Sequence, residues 1–171
     1  MMDAIRKRRS IRKFKKGKIN EKEILEILEA AILAPSAGNL QGWEFVIVKT
    51  QGQKKKLAMA AFGQDFISNA SFVVVVCADQ RKSASVYGER GYRLYSIQDT
   101  AAAIENILLT VTEKGFGACW VGAFDESMVR KIINCPAHVK PVAVIPIGIP
   151  DEKTDMPERI PLKMVLHWER F

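Results

Sequence analysis

The stretch from Ser96 to Gly122, SIQDTAAAIENILLTVTEKGFGACWVG, constrains the fold of this chain more than any other. Its pattern predicts a helix over Ser96–Lys114. Ser96 is placed to cap the first turn, and Asp99 sits three residues on, where a negative charge suits exposed amides. Gly115 reads as the stop. At about 1.5 Å per residue the helix spans ~28 Å, the width of a small domain. Ala101, Ala102, Ala103, Ile104, Ile107, Leu108, Leu109 and Val111 cover most of its circumference, the pattern of a buried helix. Ala118 to Val121 then reads as a short buried strand ending at Gly122. A buried helix feeding a strand that ends in glycine is a scaffold on which a site can be built.

The other segments fall into place around it. Asp3–Lys7 predicts a short helix with Ile5 as its apolar contact. Asn20-Glu21-Lys22-Glu23 is a capping box. The helix it opens runs to about Leu33, with Ile24, Leu25, Ile27, Leu28, Ala31 and Ile32 on one face. Trp43–Val48 and Phe72–Ala78 predict strands, the second buried on both faces. Gln53–Ala61 predicts a helix and Gln64–Asn69 a short turn, while Ser83–Arg93 is polar and Tyr-containing with no assignable element, and Tyr87–Tyr95 reads as a surface loop in preference to a pocket border. Asp125 caps a helix to about Asn134, with Met128, Val129, Ile132 and Ile133 inward. Val142–Ile147 predicts the last strand, and Pro146 within it suggests an edge or a bulge. From Gly148 onward Pro150, Pro157 and Pro161 punctuate an extended arm that closes on Val165-Leu166-His167-Trp168-Glu169-Arg170-Phe171. Such an aromatic tail needs a surface, and a second subunit is the expected one. The intermixed but irregular order excludes a doubly wound fold. It points to an α+β class, a central mixed and mostly antiparallel sheet flanked by helices.

Charge narrows the functional classes. The formal net charge is +7, yet Arg6–Lys18 alone holds nine Lys or Arg and no acid. Without it, 17 cations face 19 acids. A near-neutral body therefore carries one basic segment, which calls for an anionic partner: a cofactor phosphate, a nucleic acid or solvent. Within Arg8-Arg9-Ser10-Ile11-Arg12-Lys13-Phe14, Ile11 and Phe14 can bury while Arg8, Ser10 and Arg12 converge. Arginine forks with a hydroxyl suit a phosphate. No apolar run approaches the ~20 residues of a membrane span, and no apolar stretch follows the N-terminal cations as in a signal peptide. Cys77, Cys119 and Cys135 are widely spaced and read as buried free thiols of a reducing cytoplasm. His138 and His167 offer no metal-ligand spacing, so no metal is expected. Cys119 reads as core packing rather than a nucleophile.

Taken in order, RRSIRKF, PSAGNLQGW, QDTAAAIENILL, GFGACWVGAFD, PIGIP and ERIPL resemble the nitroreductase family across essentially the whole chain. The resemblance implies one domain over 1–171, in an intertwined homodimer with FMN at the subunit interface and the 148–171 arm packed on the partner. It implies FMN as cofactor and NAD(P)H as co-substrate. Arg8, Arg9, Ser10 and Arg12 match the N-terminal flavin motif, with Arg8 and Ser10 on the phosphate and ribityl end and Arg12 toward N1 and O2. Pro35, Ser36 and Asn39 match a loop supplied by the other subunit. Gly122 and Ala123 match the turn whose amides approach flavin N5, and Arg159 matches a late phosphate contact. The chain departs from the family at Gln41-Gly42-Trp43, where a proline often precedes the tryptophan, and at Pro157, where some members have lysine. It is also short for the family.

The activity implied is hydride transfer from NAD(P)H through flavin N5 to an electron-poor acceptor such as a nitroaromatic or quinone, in ping-pong order. No side chain acts as acid or base in the hydride step. The alternatives are other flavin chemistry on the same fold, namely reductive dehalogenation or oxygen-dependent flavin chemistry, and a nucleic-acid-binding protein using residues 6–18. The absence of stacking aromatics in that segment disfavours the last. A soluble cytoplasmic enzyme with a small-molecule partner, no nucleic acid and no membrane is the resulting expectation.

Overall fold

Strand β3 (Phe72–Asp79) is where the fold is anchored, because each of its eight residues is buried. A run of four valines satisfies both the extended backbone and a strand covered on two faces. In the computed structural model, which describes residues 2–171, β3 pairs antiparallel with β2 (Trp43–Val48) on one side and β5 (Val139–Pro150) on the other. β1 (Phe14–Lys15) and β4 (Gly117–Ala118) both pair antiparallel with β5. The sheet order is β1-β5-β3-β2.

The two-residue period of β3 sorts the helices into two layers. Phe72, Val74 and Val76 face a core with Ile24, Ile27 and Ala31 of α2 (Glu21–Ile32) and Ala103, Ile104, Ile107, Leu108 and Val111 of α6 (Ser96–Glu113). Val73, Val75 and Cys77 face the other core, against α3 (Gln51–Ala60), α4 (Phe66–Asn69) and α7 (Glu126–Ile132). This is the α+β arrangement expected. A short α1 (Met2–Lys7) packs on α6. No helix among the described residues is long and apolar enough to cross a membrane.

The local stops and starts follow their chemistry. The Glu23 amide donates to Asn20 Oδ1 at 2.8 Å, and the Met128 amide to Asp125 Oδ1 at 2.9 Å, so both predicted caps form. Gly115 adopts φ 76°, and the amides of Gly115 and Phe116 bond back to the carbonyls of Thr112 and Val111. That is a Schellman ending, which accounts for the glycine. α2 is fixed on α6 by Asn106 Nδ2 donating to the Ala30 carbonyl at 3.0 Å, and by Lys114 bridging Glu23 and Glu26.

Several expectations are corrected. Ser96 does not begin a helix: α5 (Gln80–Arg90), kinked at Gly88 with φ 55°, leads through a π-helical turn at Gly91–Tyr95 into α6, and the fully buried Ser96 donates to the Tyr92 carbonyl. Ser83–Arg93 is therefore mostly helical. Pro146 lies on a strand paired on both sides rather than an edge, opposite Val73. Its missing donor falls on the side toward Cys119, where β4 has ended and only the Pro146 carbonyl is used. The bulge lies instead between Val76 and Cys77. In α1 it is Ala4 that is buried and Ile5 that is exposed, and Met128 of α7 is exposed as well. Leu25, Ile32 and Leu33 stand out from α2, at 53%, 49% and 81% exposure, which leaves an apolar strip without cover in a single chain.

Candidate cofactor site

The basic segment is held beside the end of β4. Ser10 forms a parallel bridge with Ala118, and the Ile11 amide donates to the Ala118 carbonyl at 2.9 Å. Gly117 permits this approach, since a Cβ there would lie 2.9 Å from Ile11. Downstream, Glu152 accepts from the amides of Arg12 and Lys13, at 2.5 and 3.1 Å, and pins the segment to the start of the arm. With Ile11 buried, the neighbours Ser10 and Arg12 turn the other way.

Three of the predicted side chains meet there. Arg12, Ser10 and Arg8 all act on the Cys119 thiol, each favouring its ionised form. Burial nonetheless pushes the Cys119 thiol above its ordinary range. Cys119 is thus a packed, protonated contact, as its sequence context implied. Arg8 Nε lies 3.8 Å from Glu105 of α6. Arg9 is a brace: its Nη1 donates to the carbonyls of Arg6 and Arg8 at 2.7 Å each, and its Nε is buried without a protein partner.

Gly122 and Ala123 follow Val121, whose bridge to Val144 ends this edge. Both are exposed, and no acceptor among the described residues pairs with either amide. The Ala123 carbonyl accepts from Gln64 Nε2 at 3.2 Å. Two free donors in a turn three residues beyond Cys119 suit an electron-rich heteroatom of a bound ring.

The remaining predicted residues lie elsewhere. Pro35, Ser36 and Asn39 belong to the α2–β2 loop, where the Gln41 amide donates to Ser36 Oγ at 3.0 Å and Asn39 adopts φ 54°. This loop is tied to α6 by the Ala37 amide donating to Asp99 Oδ1 at 2.9 Å. Arg8 reaches α6 at Glu105, six residues further on. That offset is about 9 Å along the axis and a third of a turn around it. One chain therefore presents the loop and the basic segment at different places on α6. Arg159 is exposed on the arm, where its Nη1 contacts only the Glu158 carbonyl, at 3.5 Å.

Glu105, Glu152 and Asp99 were not singled out as site residues from sequence, although Asp99 stands in the QDT motif. Asp99 is 5% exposed and its Oδ2 has no partner. Burial pushes its carboxyl above the ordinary range, with the Ala37 amide pulling partly back. A raised folded-state value means the folded chain holds this proton more tightly than the unfolded chain. Its contribution to stability is therefore complete below the ordinary aspartate range, near pH ~4, and is lost as pH rises through the raised value. Asp99→Asn keeps an acceptor for Ala37 and removes the buried charge. Urea midpoints from pH 4 to pH 7 should show the variant gaining on the wild type as pH rises; a gap that narrows with pH contradicts this account.

The sequence profile of the nitroreductase family matches residues 5–64 and 54–149. An Archaeoglobus fulgidus relative, provisionally named NADH dehydrogenase/NAD(P)H nitroreductase, is 38% identical over 156 residues, spanning 88% of this chain and 86% of its own. A Thermus thermophilus protein named NADH dehydrogenase is 31% identical over 189 residues, spanning 95% and 92%. In fold, the chain matches the NADPH:FMN oxidoreductase of Vibrio harveyi, solved with NAD+, at a TM-score of 0.91 and 24% identity, covering 99% of this chain and 77% of that one. Matched over most of its length and carrying the motifs in order, this chain belongs to the nitroreductase family.

Proposed function

We propose that this chain is an FMN-dependent oxidoreductase that draws on NAD(P)H and works as a homodimer, with a flavin in each of two clefts between subunits. The observation that carries this is the convergence of Arg8, Ser10 and Arg12 beside a turn with two free amides, in a chain of this family. The names of the Archaeoglobus relative and the Vibrio fold neighbour support the pairing of NAD(P)H with FMN.

The donor set fits FMN. Arg8 and Ser10 offer directed donors for the phosphate and ribityl end, and Arg12, held by Glu152 through its amide, offers a fixed cation for N1 and O2. Arg9 keeps the segment in shape. When bound, FMN would supply the redox chemistry, hydride transfer from NAD(P)H to an electron-poor acceptor, a nitroaromatic or quinone, in ping-pong order. The amides of Gly122 and Ala123 would orient the N5 side, and Arg12 would stabilise negative charge on the pyrimidine side. No side chain moves a proton in the hydride step.

Pro35, Ser36 and Asn39 complete the cleft from the partner subunit, consistent with their distance along α6 from the Arg8 anchor. Arg159 approaches the phosphate in the same assembly. Residues 1–171 act as one FMN-binding domain, with the 148–171 arm laid on the partner. Met156, Ile160, Leu162 and Trp168 on that arm are 52%, 68%, 72% and 82% exposed, and the strip Leu25, Ile32 and Leu33 is equally bare. Apolar area of this extent on two elements is accounted for by a subunit interface. The enzyme is assigned to the cytoplasm.

Titrating apo-protein with FMN and following flavin fluorescence, with sedimentation run in parallel, tests this. Saturation at one FMN per chain in a dimer is expected. FMN held stoichiometrically by a monomer contradicts the shared cleft, and no binding contradicts the cofactor.

A further inference from the structure

Two thiols on the sheet face away from α6 are not used by the proposed flavin chemistry. Cys77 occupies β3 immediately after the bulge that skips Val142, and is 1% exposed. Cys135 follows α7 in the turn leading to β5, and is half-buried. Cys135 packs against the buried cluster that contains Cys77, and each thiol acts on the proton affinity of the other. Cys135 Sγ in turn lies 3.2 Å from the Val139 carbonyl. Both line one cavity of about 260 Å³, walled also by Phe45, Ile133 and Pro136 and reached past Glu44 and His138.

The turn carrying Cys135 is also clamped at its ends. Arg130 Nη1 donates to the Val139 carbonyl at 2.5 Å, and Nη2 to the Pro136 carbonyl at 2.8 Å. Asn134 before it adopts φ 51°. The buried partner sits in a strand and the partly exposed one on a turn.

We propose that Cys77 and Cys135 are a dithiol site that a peroxide oxidises reversibly to an intramolecular disulfide. The partly exposed Cys135 reacts first: its sulfur attacks one peroxide oxygen, water leaves, and Cys135 carries a sulfenic acid. Cys77 sulfur then attacks the Cys135 sulfur, the S–S bond forms and the second water leaves. Two thiols lose two electrons and two protons, and one hydrogen peroxide becomes two waters. A dithiol reductant reverses the step by exchange. Burial pushes the Cys77 thiol up to about 12 and raises Cys135 as well, so the thiolate fraction is low. Oxidation is correspondingly slow and answers to sustained exposure rather than to a brief pulse. The bond ties β3 to the α7–β5 turn across a long loop, which restricts the unfolded chain.

The test uses the full-length wild-type protein held for hours in millimolar hydrogen peroxide, then alkylated and digested without reductant. A Cys77–Cys135 linked peptide pair is expected in the mass spectrum. Two of the three thiols should be lost to a thiol reagent in denaturant, recovered by dithiothreitol, and the melting temperature should rise by several degrees. Cys119→Ser should still form the linked pair, and Cys135→Ser should not. Overoxidation of Cys135 without a linked pair, or links that join chains rather than Cys77 to Cys135, overturns the proposal. None of these readouts depends on flavin binding or turnover, so the outcome is separable from the proposed enzymatic activity.

Discussion

Arg8→Ala weakens FMN binding by roughly thirtyfold while leaving the fold nearly unchanged. A charge-assisted hydrogen bond to phosphate contributes about 2 kcal/mol, which sets the size of the loss. The competing effect on folding is smaller. Arg8 faces Glu105 at 3.8 Å, with 26% and 46% of the two side chains exposed, and an ion pair of that exposure is worth under about 1 kcal/mol. Fluorescence titration with FMN gives the first quantity and urea denaturation of the apo-protein the second. Unchanged FMN affinity in a folded variant removes Arg8 from the phosphate site. A large loss of apo-stability would instead make it a structural residue.

Ending the chain at Asp155 has the larger effect: the dimer is lost, and FMN binding with it. The cut keeps Glu152, which holds the amides of Arg12 and Lys13, so the basic segment retains its brace. It also keeps both cores whole, because neither includes a residue beyond Ile147. Only exposed residues are removed, among them Met156, Ile160, Leu162 and Trp168. Circular dichroism should therefore change little, while sedimentation shows a monomer and the flavin titration shows no saturable binding. A truncated chain that remains dimeric and binds FMN contradicts the assigned role of the arm.

Much of this was legible in the sequence, for local reasons. The valine run of β3, the Asn20 and Asp125 caps and the Gly115 stop are each decided within a few residues, and each forms as its chemistry dictates. The family motifs are likewise short and ordered. What was not legible depended on distant partners. Ser96 has cap chemistry, but a serine inside a helix can bond the carbonyl four residues back, and only the preceding helix decides between them. That helix, α5, carries too few apolar residues to show a periodicity. Pro146 is tolerated between paired strands because β4 happens to end beside it. Leu25 and Ile32 have the periodicity of a buried face and yet are bare in one chain, since the pattern records burial without saying by which molecule. Asp99 shows an ordinary first-turn acid in sequence; its bond to Ala37 is a tertiary fact.

The arrangement of Arg8, Ser10 and Arg12 beside the Gly122–Ala123 turn has value only if a flavin there accepts electrons from a nicotinamide. The direct measurement is the visible spectrum of FMN-reconstituted protein under anaerobic conditions, before and after addition of NADH or NADPH. The account predicts protein-bound flavin bands that bleach on addition of one of the two and return when a quinone or nitroaromatic is supplied. Bound flavin that neither nucleotide bleaches would contradict it.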